Sequence, residues 1–320
     1  MIQIFTDTSA NLPTAMCNEY NITVLPLYYY IDGEEYTCLD TESFDGDAYY
    51  KSIKEGKQVT TSQITPGHFA EAFRTALAAG DDVIYVAMAQ RISGTYDSAL
   101  NAKAQLEEEF PARRIAVVNT KGASFGEGLP ALIAAECAKE GGDFDAVLEA
   151  AERASRYIYQ IFTVDDLKYL ARTGRCSNVT AFVGGALNIK PMLKATDDGV
   201  IATFEKAHGR KKAIKNLLKY YEENVIAPEK QTVFISYAGC KDDADTLIEM
   251  INATDKAPKL LIAAPHEPVT GSHIGPGALA LFFISGHNRD TGVDDKLYWY
   301  KKNTVAKHTV FFAMMWKMPL

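Results

Sequence analysis

The sequence predicts an α/β protein of two domains: an N-terminal domain on a mostly parallel three-layer sheet, and a C-terminal domain with a mixed sheet. Three observations lead there. Short runs rich in Val and Ile, such as Val83-Ile84-Tyr85-Val86-Ala87-Met88, alternate with helix-like patterns such as Tyr96 to Glu109. Runs of that length and composition read as strands buried in a parallel sheet. Further on, Thr196-Asp197-Asp198-Gly199 is a hairpin signal between the strand-like runs Asn188 to Ala195 and Val200 to Phe204, so antiparallel pairing enters there. Finally, 320 residues suit two domains. We place the domains at residues 1–158 and 159–286, with 287–320 as a tail.

Composition narrows the function. With 47% hydrophobic and 23% charged residues the chain can bury a sizeable core. A net charge of −8 argues against nucleic acid, whose phosphates need clustered Lys and Arg. The five cysteines are scattered without a C-x-x-C, which suits reduced thiols in a cytoplasm. No His pair has helical metal-ligand spacing, so no metal is expected. Met1 to Phe5 reaches Asp7 too soon for a signal segment, and runs such as Ala278 to Ile284 fall far short of the ~20 residues of a membrane helix.

Taken in order, Ile2 to Thr6 reads as a strand, with Asn11 capping a short helix whose first turn holds Pro13. Asp7 either touches a ligand or holds the turn. Ile22 to Ile31 reads as one long tyrosine-rich strand, and Ser43 to Glu55 as a polar helix. Thr65 as cap and Pro66 at the first helical position open a helix running from His68 to Ala79. Three hydroxyl residues precede that cap, which makes Thr61 and Ser62 either ligand donors or members of a hydrogen-bonded loop.

Ser93-Gly94-Thr95 follows the Val83 strand and precedes a helix, at the sheet edge where α/β folds bind ligands. Gly94 permits a tight turn and close approach, and unpaired amides of the first helical turn suit an anion. An ordinary Ser/Thr cap is the alternative. Ile115 to Val118 is another strand; Asn119 to Gly128 then leads to a helix starting at Leu129. Its G-x-x-x-G-x-G spacing matches no nucleotide fingerprint and reads as a loop whose glycines leave room for something large. Three such loops on one edge would form one pocket.

Helices are expected over Leu129 to Lys139 and Phe144 to Arg156, then a strand from Tyr159 to Thr163. Thr163 or Asp165 caps a short helix ended by Gly174, with Arg172 and Arg175 either complementing its C-terminus or serving a site. Gly184, Gly185 and Ala186 either leave room for a ligand or permit close helix packing. Lys211 to Glu223 is a basic amphipathic helix with a solvated face. Thr232 to Tyr237 and Leu260 to Ala264 are buried strands around the helix Asp242 to Ala253. Pro268 to Gly277 reads as a loop leading into Ala278 to Ile284, and its His273 is either structural or part of a site. Thr309 to Leu320, apolar and aromatic, reads as a docking segment or a processing remnant.

Together these motifs resemble the DegV family, which includes the fatty-acid-binding subunits of bacterial fatty acid kinase. The resemblance is carried by Thr6-Asp7-Thr8-Ser9-Ala10-Asn11-Leu12-Pro13, Thr61-Ser62-Gln63, Ser93-Gly94-Thr95-Tyr96 and Ser124 with Gly126 and Gly128. It continues through Val164-Asp165-Asp166-Leu167, Arg172-Thr173-Gly174-Arg175, Ile189-Lys190-Pro191 and Gly275-Pro276-Gly277-Ala278. Departures from the family pattern are Ile64, Asn119-Thr120 and Ile274. The resemblance implies two α/β domains with one long-chain fatty acid buried between them and no other cofactor. Its head group would be held by Thr61, Ser62, Ser93, Gly94, Asn119, Ser124 and Gly126. Arg172 and His273 match the basic residues on the acyl-phosphate side.

It further implies a carrier rather than a catalyst. A separate partner kinase would phosphorylate the bound acid for phospholipid synthesis, and transient contact with a membrane surface would fit that role. The chemistry agrees. Burying a methylene contributes ~0.8 kcal/mol, so fourteen give roughly 11 kcal/mol before entropic costs, and the hydroxyls need only orient the carboxylate. The rivals are a small-metabolite sensor, and an acyl hydrolase or transferase in which His273 activates Ser93. The latter lacks G-x-S-x-G and an oriented acid.

Overall fold

Strands that are apolar on both faces need cover on both faces, and that need shapes the first half of the chain. The computed structural model describes residues 1–177 and 188–294. In chain order the first half comprises β1 (Ile2–Asp7), α1 (Thr14–Glu19), β2 (Ile22–Leu25), β3 (Tyr28–Ile31), β4 (Glu34–Tyr36) and α2 (Gly46–Lys54). There follow β5 (Val59–Ser62), α3 (Pro66–Ala78), β6 (Asp82–Ala87), α4 (Thr95–Glu109), β7 (Ile115–Asn119), α5 (Phe125–Lys139) and α6 (Phe144–Tyr157). Strands β2, β1, β6 and β7 lie in that order, all parallel. Helices α3 and α4 pack on each other and on β6, as do α5 and α6. Val83 to Ala87 are consequently 0% exposed, as central parallel strands require.

The expected strand Ile22 to Ile31 is two strands. Pro26 has no N–H to give a ladder, and the chain leaves the parallel sheet there. β3 instead pairs antiparallel with β4 and β5 in a three-stranded sheet. Asn11 does not cap a helix from its N-terminal side. It ends the single turn Thr8–Ala10 in a left-handed conformation (φ 58°), and Pro13 precedes α1. Asp7 holds that turn by accepting from the Ser9 amide. Helix α5 starts at Phe125, not Leu129, so Gly126 and Gly128 are helical. A Cβ on Gly128 would stand 2.3 Å from the Ala10 carbonyl oxygen; close approach, not a loop, explains that glycine.

The second half supplies β8 (Ile158–Thr163), α7 (Lys168–Thr173), β9 (Cys176–Ser177), β10 (Ile189–Ala195), β11 (Ile201–His208) and α8 (Arg210–Asn224). It continues with β12 (Thr232–Tyr237), α9 (Lys241–Asn252), β13 (Leu260–Pro265), α10 (Pro268–Ile274) and β14 (Leu279–Ile284). These strands form a mixed sheet in the order β13-β12-β14-β8-β10-β11-β9. The hairpin lies where expected: β10 and β11 are antiparallel, and Gly199 takes a φ of 86° in the turn. β13 is an edge strand and only partly buried, unlike the expected core strand. Neither Thr163 nor Asp165 caps α7; Asp166 accepts from the Lys168 amide at 2.8 Å.

The loop expected at 268–277 is mostly helix. Pro268 occupies the first turn of α10, and the Glu267 carboxylate accepts from the Val269 and Thr270 amides, both at 2.6 Å. Residues 287–294, assigned to the tail, are integrated. Arg289 is buried and donates to the carbonyls of Thr120 (3.0 Å), Lys121 (2.7 Å) and Thr196 (2.7 Å). Thr309 to Leu320, and Gly184 to Ala186, lie outside the described residues.

The two sheets meet through α5. Phe125 stacks on Phe234 of β12, with ring centroids 4.3 Å apart, and packs edge-on against Phe282 of β14. Beside this contact two acids, Asp7 and Glu127, are 0% exposed. Ser9 has one hydroxyl proton, yet its oxygen lies 2.5 Å from Asp7 Oδ1 and 2.6 Å from Glu127 Oε2. One carboxyl must therefore be protonated. Asp7 also accepts from the Ser9 amide (2.9 Å) and the Tyr85 hydroxyl (2.5 Å), which favours its ionised form. Glu127 is the neutral partner, donating to Ser9 and accepting from Thr6 Oγ1 at 2.9 Å. Burial and the neighbouring Asp7 charge push its pKa well above the usual carboxylate range.

The folded chain thus retains a proton that the unfolded Glu127 releases. This contribution to stability is full below the unfolded carboxyl pKa of about 4.3 and falls as pH rises above it. Glu127→Gln copies the donor and acceptor of the neutral acid. We expect its melting temperature to equal or exceed the parent's at about pH 8, with a flatter pH dependence. Glu127→Ala removes both contacts and leaves a buried void, but Thr6 keeps the Val86 carbonyl and Ser9 keeps Asp7, so the loss should be about 1–3 kcal/mol in total. Thermal unfolding across pH checks both; an equally steep pH dependence in Glu127→Gln would contradict the assignment.

Candidate functional site

A polar strand end, two loops and a short helix enclose one cavity of about 240 Å³ between the parallel and mixed sheets. Thr61 and Ser62 reach it from β5, within the three-stranded sheet. Ser93 and Gly94 come from the loop after β6, and Ser124 from the loop after β7. His273 comes from α10, and its Nε2 lies 2.9 Å from Thr61 Oγ1. Apolar walls are supplied by Leu27, Met88 and Ile92 on one side and by Phe162, Ala280 and Phe282 of the mixed sheet on the other. The arrangement is amphipathic: hydroxyls, imidazoles, two amides and the cations Lys121 and Arg175 share the space with apolar walls.

The remaining expected site residues lie elsewhere. Asn119 is not among the lining residues; its Oδ1 accepts from the Lys121 amide at 3.0 Å and braces the loop. Arg172 is likewise outside the lining, where its guanidinium donates to Gln58 Oε1 at 2.5 Å. Arg175 lines the cavity in its stead and donates to the Thr173 carbonyl at 2.6 Å. Gly126 leaves room, but for Gln160. A Cβ on residue 126 would stand 1.9 Å from Gln160 Oε1, and one on Gly122 would stand 2.9 Å from Gln160 Nε2.

Gln160 is the cavity residue that sequence reading missed most plainly. It alternates with Phe162 along β8, so period-2 patterning puts both on one face. His266 and Thr270 also line the cavity. Thr270 gives its proton to Glu267, so His266 Nε2 must donate to Thr270 Oγ1 (2.8 Å) and Nδ1 accept from Ser236 (2.7 Å). Burial holds His266 neutral, its pKa pushed down to about 3. This chain of bonds anchors α10 and hence His273.

Ser93 does not pair with His273. Its oxygen accepts from the Thr95 amide (3.2 Å) and lies 2.9 Å from Thr95 Oγ1, closing a local turn just before α4, whose N-cap is Gly94. Ser93 lines the cavity, and the bonds of a Ser93–His273 nucleophile pair are not formed. His273 is neutral: burial first, then the nearby charges of Arg175 and Arg172, push its pKa down to about 4. Its Nδ1 is buried and without a hydrogen-bond partner. A neutral imidazole beside two guanidinium groups can orient an anionic group without adding a third charge.

An amphipathic cavity between a parallel and a mixed α/β sheet defines the class: a small-ligand-binding α/β protein. The chain belongs to the DegV family, whose model, described as "Uncharacterised protein, DegV family", matches residues 1–286. A DegV domain-containing protein of Clostridium perfringens is 38% identical over 281 residues, covering 88% of this chain and 96% of the relative. Among solved structures, a fatty-acid-binding DegV family protein of Thermus thermophilus superposes with a TM-score of 0.80 at 32% identity, covering 89% of this chain and 99% of that one. The fatty-acid-binding DegV protein of Bacillus subtilis gives 0.74 at 28% identity, with 89% and 99% covered. Among the described residues, no helix is long and apolar enough to cross a membrane, and no cluster of His, Cys, Asp and Glu could hold a metal ion.

Two outcomes test this geometry. A histidine whose folded pKa is depressed stabilises above its unfolded pKa of about 6.5 and loses that contribution as pH falls through the folded value. His273 should therefore stay neutral by NMR titration until about pH 4; a midpoint near the unperturbed value would refute its burial. Secondly, Gly126→Ala should destabilise the parent by about 1–3 kcal/mol. In a Gln160→Ala background the same change should become neutral or favourable, because alanine suits a helix better than glycine. A double-mutant unfolding cycle measures the difference.

Proposed function

We propose that this protein is a carrier that buries one long-chain fatty acid in the cavity between its sheets. Its carboxylate would be held by the hydroxyls of Thr61, Ser62 and Ser93 and by the backbone at Gly94. The observation that carries this reading is that Thr61, Ser93 and His273 line the same cavity as Leu27, Met88, Phe162 and Phe282. An acid with a long hydrocarbon tail matches both kinds of wall. Fatty-acid binding by the similar Thermus thermophilus and Bacillus subtilis proteins supports it. We take 1–158 and 159–286 as the two domains enclosing the ligand, consistent with β8, the first strand of the mixed sheet, opening at Ile158.

In this reading the tail provides affinity and the polar end provides orientation. A separate kinase would add the phosphoryl group and direct the acyl phosphate to phospholipid synthesis. Arg172, Arg175 and neutral His273 would stand on the side where the added charge appears, since both arginines are near enough to depress the pKa of His273. Arginine suits a phosphoryl group because its fork donates two parallel bonds.

Mass spectrometry of the denatured protein, purified from cells without added lipid, tests the first half. We expect about one long-chain acid per chain, and Thr61→Ala or Ser93→Ala each to lower retention about ten- to hundredfold, from a lost charge-assisted bond of ~1.5–3 kcal/mol. Recovery of lipid-free protein that also fails to take up added fatty acid would overturn the proposal.

A further inference from the structure

The cavity contains two incompletely bonded polar side chains, Gln160 and Ser124; the family resemblance gives Ser124 to the head group, whereas the bonding here sets it beside Gln160. Gln160 rises from β8 between Phe162, its neighbour on the same face, and Phe282, its cross-strand partner on β14, and all three line the cavity. Its amide is poorly engaged: Oε1 accepts from the Ala123 amide at 3.2 Å and Nε2 reaches the Lys121 carbonyl only at 3.4 Å. One N–H of Gln160 therefore has no partner among the described residues, since an amide nitrogen has two donors.

Next to Ala123 stands Ser124, 1% exposed and also lining the cavity, whose hydroxyl has no hydrogen-bond partner. Ser124 takes a φ of 55° and ψ of −140° at the start of α5, a strained setting for any residue with a side chain, and its hydroxyl does not cap the helix. Glycine would adopt that conformation without strain. A buried hydroxyl and a half-used amide facing one apolar space cannot be met by hydrocarbon. Against a plain acyl chain the Ser124 hydroxyl and one N–H of Gln160 would stay unpaired.

We propose that Gln160 and Ser124 bind an oxygen substituent on the hydrocarbon chain of the ligand, making the preferred substrate class a hydroxylated or oxo long-chain acid. A chain hydroxyl can accept from the free Gln160 N–H or from Ser124 and donate to Gln160 Oε1; an oxo group can accept from both. The inference rests on the fatty-acid-carrier reading above and adds the chemistry of the chain. Sites built to bond a ligand hydroxyl discriminate strongly against the analogue that lacks it.

The test is competition on the delipidated full chain. Stearic acid would be offered against a series of monohydroxystearic acids with the hydroxyl placed at successive chain positions, and the retained acid weighed by mass spectrometry. We expect one position, or two adjacent ones, to be preferred over stearic acid by about tenfold or more. Gln160→Leu should reverse that preference. Ser124→Gly should weaken the preference while raising the melting temperature, since it relieves the positive φ; selectivity and stability would then move in opposite directions, as a packing role would not produce. Stearic acid retained at least as well as every isomer would overturn the inference and leave the carrier reading standing. Retention of neither acid would sink both.

Discussion

The structure depends on one close approach: the first turn of α5 against β8 and the turn after β1. Residues 122, 126 and 128 carry no Cβ, and each would collide with backbone or with Gln160 if they did. That approach brings Phe125 onto Phe234 and Phe282, and so fixes the spacing of the two sheets. It also brings Glu127 up to Ser9. The cavity is what remains open where this contact ends. Packing at interior density leaves few voids by accident, so a space of this size lined by polar groups is the candidate binding site.

Buried charge is handled in the same region by protonation and by donors instead of by ion pairs. Asp7 keeps its charge with three donors, while Glu127 gives up its charge. Glu267, its pKa raised to about 7 by burial, caps α10 and receives the proton of Thr270. His266 and His273 are held neutral by burial. Around the cavity, charge is therefore sparse, and the guanidinium groups of Arg172 and Arg175 are the strong cations nearest His273. An entering carboxylate would meet donors already oriented by their own bonds, with little reorganisation needed to receive it.

The extension past residue 286 belongs to the same design. Arg289 gathers carbonyls from the loop after β7 and from the β10–β11 hairpin, tying two cavity-lining segments together. Its burial lowers its pKa to about 10, and three carbonyl acceptors offset part of the loss of hydration. The family model matches residues 1–286, so Arg289 lies just past its end.

Much of this was legible in the sequence, because the relevant signals are local. Val- and Ile-rich runs mark parallel strands, Thr65-Pro66 marks the start of α3, and Thr196 to Gly199 marks the hairpin; each arises from backbone and side-chain preferences within a few residues. Thr61, Ser93 and His273 were identifiable as chemistry, and the cavity gathers them. What only tertiary structure decided were effects of distant neighbours. Gly126 and Gly128 look like loop residues until Gln160 and Ala10 are seen against them. Arg175 lines the cavity and Arg172 does not, a choice made by the direction of a helix end. Gln160 is an unremarked polar residue in a strand until the sheet faces the opposite loop. The physical reason is common to all: propensity acts along the chain, whereas close approach, burial and the sharing of protons act between segments that the chain brings together only on folding.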